Sequence, residues 1–252
     1  MPEAPTMPAF DVDGVRIHYT DDGAGPPVVL VHGLTSSAER NWRRPGVVDA
    51  LVAAGRRVIA IDCRGHGESD KPHDPAAYAG TRFGDDVIAL MDHLGIETAD
   101  LAGYSMGGMI ATSLLARRPE LFRRVIIAGV GDWVLRAGDG VLRGVEAPVR
   151  GGRLRRAAGA WLMRGIARRM GNDPDALAAI AQAPRQPLDV AKLARVTSPV
   201  LLLVGRSDRG AGTPTRLAAA IPGARIEKVP GSHITAVIDP AFRRAIVEFL
   251  AS

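Results

Sequence analysis

A single cysteine, Cys63, stands in a chain of 252 residues, which excludes an internal disulfide and any multi-cysteine metal site. No apolar run approaches the ~18 uninterrupted residues that a membrane span requires. H-E-x-x-H, C-x-x-C and G-x-x-x-x-G-K-[ST] are all missing, and Gly103, Gly129 and Gly131 do not make a G-x-G-x-x-G. Metal ligation and nucleotide binding therefore find no support in a motif. The first ten residues, MPEAPTMPAF, hold no basic residue and do not read as a secretory signal. A cytoplasmic location is the default expectation.

What is present is globular. Apolar residues make up 46% and charged residues 23%, which rules out a disordered chain and supplies enough material for a sizeable core. The length suits one large α/β domain. The net charge of +5 is concentrated: residues 133–187 carry ten arginines, no lysine and four acids, so that segment contributes +6 and the rest of the chain −1. A basic surface spread over the whole protein, as for a coat on nucleic acid, is not the pattern.

Strand-like and helix-like stretches alternate. Phe10 to Val12 and Val15 to Tyr19 flank Asp13-Gly14, a hairpin signal. Val28 to Val31, Val58 to Ile61, Leu101-Ala102, Val125 to Ala128 and Val200 to Val204 are short apolar runs, as expected of strands buried on both faces of a parallel sheet. A late run, Ile226 to Val229, is read as the last strand. Helical spacing is expected over Phe83 to Leu94, Met106 to Ala116 and Ala241 to Leu250. Repeated strand–helix–strand units imply a mostly parallel sheet covered by helices. The basic segment has no clear strand and is expected to be a helical insertion over the carboxyl edge of the sheet. Within it, Arg150 to Met170 fits an amphipathic helix with Leu154, Ala158, Trp161, Leu162 and Ile166 inward.

The chemistry gathers where strands end. Gly103-Tyr104-Ser105-Met106-Gly107 matches G-x-S-x-G between a strand and a helix. A nucleophile on so sharp a turn crowds the residues two before and two after it, so only very small side chains fit. The following helix turns its free N–H groups and positive dipole end toward the serine. A serine hydroxyl also needs a base. Of the six histidines, His18 is accounted for by an exposed position in the first hairpin, His93 by a helix and His73 by a polar loop. His32 and His66 sit beside glycines just after strands. His233 follows the last strand and is the expected base. The acid that holds its tautomer is expected to be Asp208, just after Val200 to Val204, with Asp132 as the rival and Asp239 as a remote one.

These residues, in the order Ser105, Asp208, His233, resemble the α/β-hydrolase superfamily over nearly the whole chain. His32-Gly33-Leu34, the stretch Asp62 to Ser69 and Gly103 to Gly108 carry the likeness. The resemblance implies an α/β fold with a mostly parallel eight-stranded sheet, a core formed by 1–132 and 188–252, a small helical cap over 133–187, and no cofactor. It also implies an oxyanion hole made by the backbone N–H groups of Leu34 and Met106, and a structural role for the His66 loop. Relatives that open epoxides or remove halogens use an aspartate at the elbow. Ser105 instead implies acyl transfer: hydrolysis of a carboxylic ester, thioester or lactone through an acyl-enzyme, or carbon–carbon bond hydrolysis. The segment 103–109 with the arginine-rich cap is also similar to 3-oxoadipate enol-lactonases, which act on an anionic lactone.

Three readings of the cap arginines stay open: solvated charges, guanidinium groups turned inward onto an anionic substrate, or attraction to an anionic membrane or acidic partner. The expected partner is a small acyl substrate and not a nucleic acid. Receptor-type proteins that keep the triad form a non-enzyme alternative.

Overall fold

The computed structural model describes residues 8–136 and 165–251, apart from 166 and 170. Most of the basic segment, including the expected helix over 150–170 save four of its residues, lies outside the described residues.

Eight strands form one sheet in the order β1-β2-β4-β3-β5-β6-β7-β8. They are β1 (Ala9–Val12), β2 (Val15–Asp22), β3 (Pro27–Val31), β4 (Arg57–Ile61), β5 (Ala99–Tyr104), β6 (Phe122–Ala128), β7 (Val200–Gly205) and β8 (Arg225–Val229). The β1–β2 hairpin turns at Asp13-Gly14, both with positive φ, and β2 pairs antiparallel with β4. Every pairing from β4 through β3 to β8 is parallel.

Among the described residues the α-helices are α1 (Val47–Ala53), α2 (Arg82–His93), α3 (Met106–Arg117), α4 (Pro174–Gln182), α5 (Val190–Leu193), α6 (Thr215–Ala220) and α7 (Pro240–Ala251). None among the described residues is long and apolar enough to cross a membrane.

Two cores flank the sheet, and the alternation of side chains along each strand feeds both. Val29, Val31, Leu101, Val125, Ile127 and Leu202 face α2 and α3. Val28, Leu30, Ala102, Ile126, Leu201 and Leu203 face α1 and α7, where Trp42 stacks near Phe242. Burial on both faces is why these strands are apolar at every position. The helices obey the complementary rule. In α2, Val87, Leu90 and Met91 are buried, and in α7 Phe242, Ile246, Phe249 and Leu250 are.

The run Ile226 to Val229 is the last strand, as expected, and lies at the edge of the sheet: in its sequence Arg-Ile-Glu-Lys-Val only Val229 is buried, and its charges suit an edge that must not recruit a further strand. One expectation is corrected. His18 is not exposed: it is buried, because Asp62 arrives from the end of β4 to pair with its ring.

Candidate active site

The turn between β5 and α3 places Ser105 at φ +54° and ψ −109°, a conformation costing on the order of 1–3 kcal/mol for a residue with a side chain. The surroundings enforce it. A Cβ at Gly103 would collide with the carbonyl of Gly107, and one at Gly107 with the carbonyl of Val31. With those two side chains absent, β3, β5 and α3 close together and Ser105 N donates to Ala128 O at 2.8 Å.

Ser105 Oγ lies 2.9 Å from His233 Nε2, and His233 Nδ1 lies 2.8 Å from Asp208 Oδ2. Asp208 accepts a second hydrogen bond, at Oδ1 from Ala211 N at 2.7 Å. Burial alone would raise the Asp208 pKa; the hydrogen bond from His233 and those from the Ala211 and Gly210 amides outweigh it and hold the carboxyl below its ordinary value. An ionised carboxylate on Nδ1 fixes the proton there, leaving Nε2 free to accept the serine proton.

The rival acids are occupied elsewhere. Asp132 Oδ1 accepts from Leu217 N at 2.9 Å, in the first turn of α6. Asp239 Oδ1 accepts from Ala241 N at 2.8 Å and caps α7.

Met106 follows the serine in the chain, and a Cβ at Gly33, the residue before Leu34, would lie 3.4 Å from Ser105 Cβ. Among the described residues no hydrogen bond is made by the backbone N–H of Leu34 or Met106. The loop bearing Leu34 is held under strain. Thr35 has φ +63°, unusual for a β-branched residue, and its carbonyl accepts from Asn172 Nδ2 at 3.0 Å. On the other side, Gly33 N donates to the buried Asn41 Oδ1 at 3.0 Å. His32 anchors the base of the same loop. Its Nε2 accepts from Cys63 N at 3.0 Å, so Nδ1 carries the proton and donates to Gly33 O at 2.7 Å. Burial lowers the His32 pKa and keeps the ring neutral.

His66 packs edge-on against His32, with ring centroids 5.1 Å apart, and donates through Nδ1 to Arg64 O. Burial, then the neighbouring His32, push its pKa down to about 3. It touches none of Ser105, Asp208 and His233 among the described contacts. Beneath this loop, Asp62 accepts from His18 Nδ1, Ala38 N and Glu68 N at 2.8–3.0 Å. Gly67, at φ +50°, lies directly over that carboxylate, and a Cβ there would overlap it.

Tyr104, Asn41, Thr35 and Asn172 were not singled out by the sequence. Tyr104 alone carried a signal, as the residue before the serine in G-x-S-x-G. Asn41 and Asn172 meet the loop at Gly33 and Thr35 from 8 and 137 residues away in the chain.

The family model for the alpha/beta hydrolase fold matches residues 26–157, more than half of the chain. The chain is 42% identical over 118 residues to a 2-hydroxymuconate semialdehyde hydrolase of Pseudomonas sp. (strain CF600), covering 46% of this chain and 40% of that protein. It is 37% identical over 113 residues to an epoxide hydrolase of Caballeronia sordidicola, covering 45% and 33%. These matches thus span well under half the length of those relatives. Among solved structures, the enol-lactonase from Burkholderia xenovorans LB400 superposes with a TM-score of 0.75 at 29% identity, over 97% of this chain and all of that one. With the sheet order, the strained serine turn and the family match in agreement, the chain belongs to the alpha/beta hydrolase fold family.

Proposed function

We propose that the protein is a serine hydrolase that cleaves a carboxylic ester, thioester or lactone through an acyl-enzyme. The observation that carries this reading is the continuous relay from Ser105 Oγ through the His233 ring to Asp208, at 2.9 and 2.8 Å. In the first step His233 Nε2 takes the Ser105 proton as Oγ bonds to the acyl carbon. The carbonyl π pair moves onto oxygen, and the Leu34 and Met106 N–H groups stabilise that oxyanion. Collapse expels the alcohol, thiol or ring oxygen, which takes the proton from His233. Water then repeats the sequence on the acyl-enzyme, releasing the acid and restoring Ser105.

A serine at the elbow favours an ester of the acyl carbon over the alkyl ester that an aspartate would form, so epoxide opening is disfavoured despite the epoxide hydrolase likeness. Lactones form the narrower substrate class, supported by the full-length similarity to an enol-lactonase. Carbon–carbon hydrolysis is the second reading, favoured by the 42% identity to a 2-hydroxymuconate semialdehyde hydrolase.

A burst assay with p-nitrophenyl acetate, paired with a fluorophosphonate and mass spectrometry, tests the mechanism. Turnover with label on Ser105, both lost in Ser105→Ala, is expected. Absence of both turnover and label in the wild-type protein would make it a ligand-binding member of the fold. A panel of lactones, aryl esters and vinylogous diketones then separates lactone from carbon–carbon hydrolysis.

A further inference from the structure

Leu34 is carried by a turn that its own residues do not favour. Ser36 N donates to Gly33 O at 3.2 Å and closes the four residues Gly33 to Ser36. Thr35, third in that turn, has φ +63°, and Leu34 is not among the residues with positive φ. This is the pattern of a type II turn, whose third position ordinarily takes glycine or asparagine. A β-branched side chain is disfavoured there and persists only where the surroundings hold it. The bond that closes such a turn leaves the N–H of its second residue unused, and that residue is Leu34.

Side chains from outside the turn fix both of its ends. At the start, Gly33 N donates to Asn41 Oδ1 at 3.0 Å, and Gly33 O accepts from His32 Nδ1 at 2.7 Å. At the end, Thr35 O accepts from Asn172 Nδ2 at 3.0 Å. A carbonyl only accepts, so the orientation of the Asn172 amide is determined. Asn172 is buried, and its main chain is tied on both sides. Asn172 N donates to Ala167 O and Gly171 N to Arg168 O, both at 2.9 Å, with Gly171 at φ +68°. These are the paired bonds of a Schellman helix end. One residue later, Asp173 caps α4 by accepting from Asp175 N at 2.8 Å and Ala176 N at 3.2 Å. An asparagine pinned between a helix end and a helix start is a fixed point to which the loop conforms.

We infer that Asn172 is a positioning residue for the proposed reaction: by holding Thr35 O, it keeps the strained turn in the form that offers the Leu34 N–H to the oxyanion. The inference rests on the acyl-enzyme reading, in which that N–H is a donor. Without the clamp Thr35 is free to relax to negative φ, and the turn that carries Leu34 shifts with it. A residue of the 133–187 insertion thereby acts on the chemical step through the loop.

Steady-state kinetics of the full chain on p-nitrophenyl acetate, with inhibition by a trifluoromethyl ketone, test this. Ser105 Oγ bonds to the ketone carbon, the carbonyl π pair moves onto oxygen and the serine proton passes to His233, so the affinity reports the oxyanion contacts. Asn172→Asp keeps the size of the side chain and removes the donor, and Asn172→Ala serves where it fails to fold. Either is expected to lower kcat by about ten- to a hundredfold, short of the roughly 10²–10³ that deleting an oxyanion donor costs. KM is expected to stay within about threefold while the ketone weakens by the same factor as kcat. Thr35→Gly supplies a residue that takes positive φ without strain. In that background the Asn172 substitution is expected to cost less than about threefold. A loss of the same size in the Thr35→Gly background assigns the effect to other contacts of Asn172 and overturns the inference. Unchanged kcat and ketone affinity in the Asn172 variant overturn it too. Turnover that survives Ser105→Ala overturns the acyl-enzyme reading, and the inference with it, whatever Asn172 does.

Discussion

The Tyr104 hydroxyl donates to the backbone carbonyl of His233 at 2.5 Å, tying the residue before the serine to the loop that carries the imidazole. The two rings also lie against one another, with centroids 5.5 Å apart. One side chain of the elbow therefore sets the height of the histidine loop over Ser105. Tyr104→Phe keeps the ring and removes the tether. We expect kcat to fall by about ten- to a hundredfold with KM little changed, since small misplacement of a base is costly. An unchanged kcat means the loop is held by other contacts.

Asp208→Asn presents an amide to His233 Nδ1 and favours the wrong tautomer. A loss in kcat of about 10³- to 10⁴-fold is expected, with substrate binding nearly retained. Asp132→Asn keeps an oxygen for Leu217 N and is expected to lose less than about tenfold, because that aspartate serves α6 and not the imidazole. Steady-state kinetics of the two variants decide it, and the reverse ranking moves the acid role to Asp132.

Asp62 links acid stability to the loop beneath the site. Burial by itself would raise its pKa, but the hydrogen bond from His18, with those from the Glu68 and Ala38 backbone N–H groups, outweighs burial and lowers it from 3.8 to about 2. A depressed carboxylate stabilises the fold fully above its unfolded value, and that contribution disappears as pH falls through the folded one. Asp62 is expected to contribute about 2 kcal/mol at neutral pH, lost between roughly pH 4 and 2. Urea unfolding of the wild type and Asp62→Asn across that window measures it. A gap between the two proteins that stays constant down to pH 2 contradicts the assignment.

Arg64 and Asp86 form a bidentate ion pair at 2.5 and 2.7 Å, with both side chains almost wholly buried. Hydrogen bonding to Asp86 raises the Arg64 pKa despite its burial. Removing one partner strands the other charge, so Asp86→Leu or Arg64→Met alone is expected to cost about 3–5 kcal/mol. The double substitution is expected to recover most of that loss. Chemical denaturation of the three variants tests this, and additive losses in the double variant refute it.

The sheet was legible in the sequence because burial on both faces leaves an unmistakable mark. Val28 to Val31, Val58 to Ile61 and Val200 to Val204 are apolar at every position, and each is a strand. Helices α2 and α7 were legible for the matching reason, since a one-sided burial repeats every three or four residues. The short α1 and α6 were not, having fewer than two full turns in which a period can show. His18 was misjudged because strand alternation says which face a side chain takes and nothing of what arrives there. Its partner Asp62 is 44 residues away.

The amino-acid sequence by itself determined the strand–helix alternation, the tight serine turn and the short list of groups able to act there. Those properties rest on neighbouring residues: side-chain volume at Gly103 and Gly107, and apolar continuity along a strand. Only the tertiary structure decided which carboxylate meets the imidazole. Asp132 and Asp208 both follow strand ends, and adjacent strands β6 and β7 deliver both to the same edge of the sheet. The choice falls to the loops. That of Asp132 turns its carboxylate onto α6, while that of Asp208 closes over Ala211 and points at His233. Such contacts join residues far apart in the chain, and their energies depend on packing that no local pattern encodes.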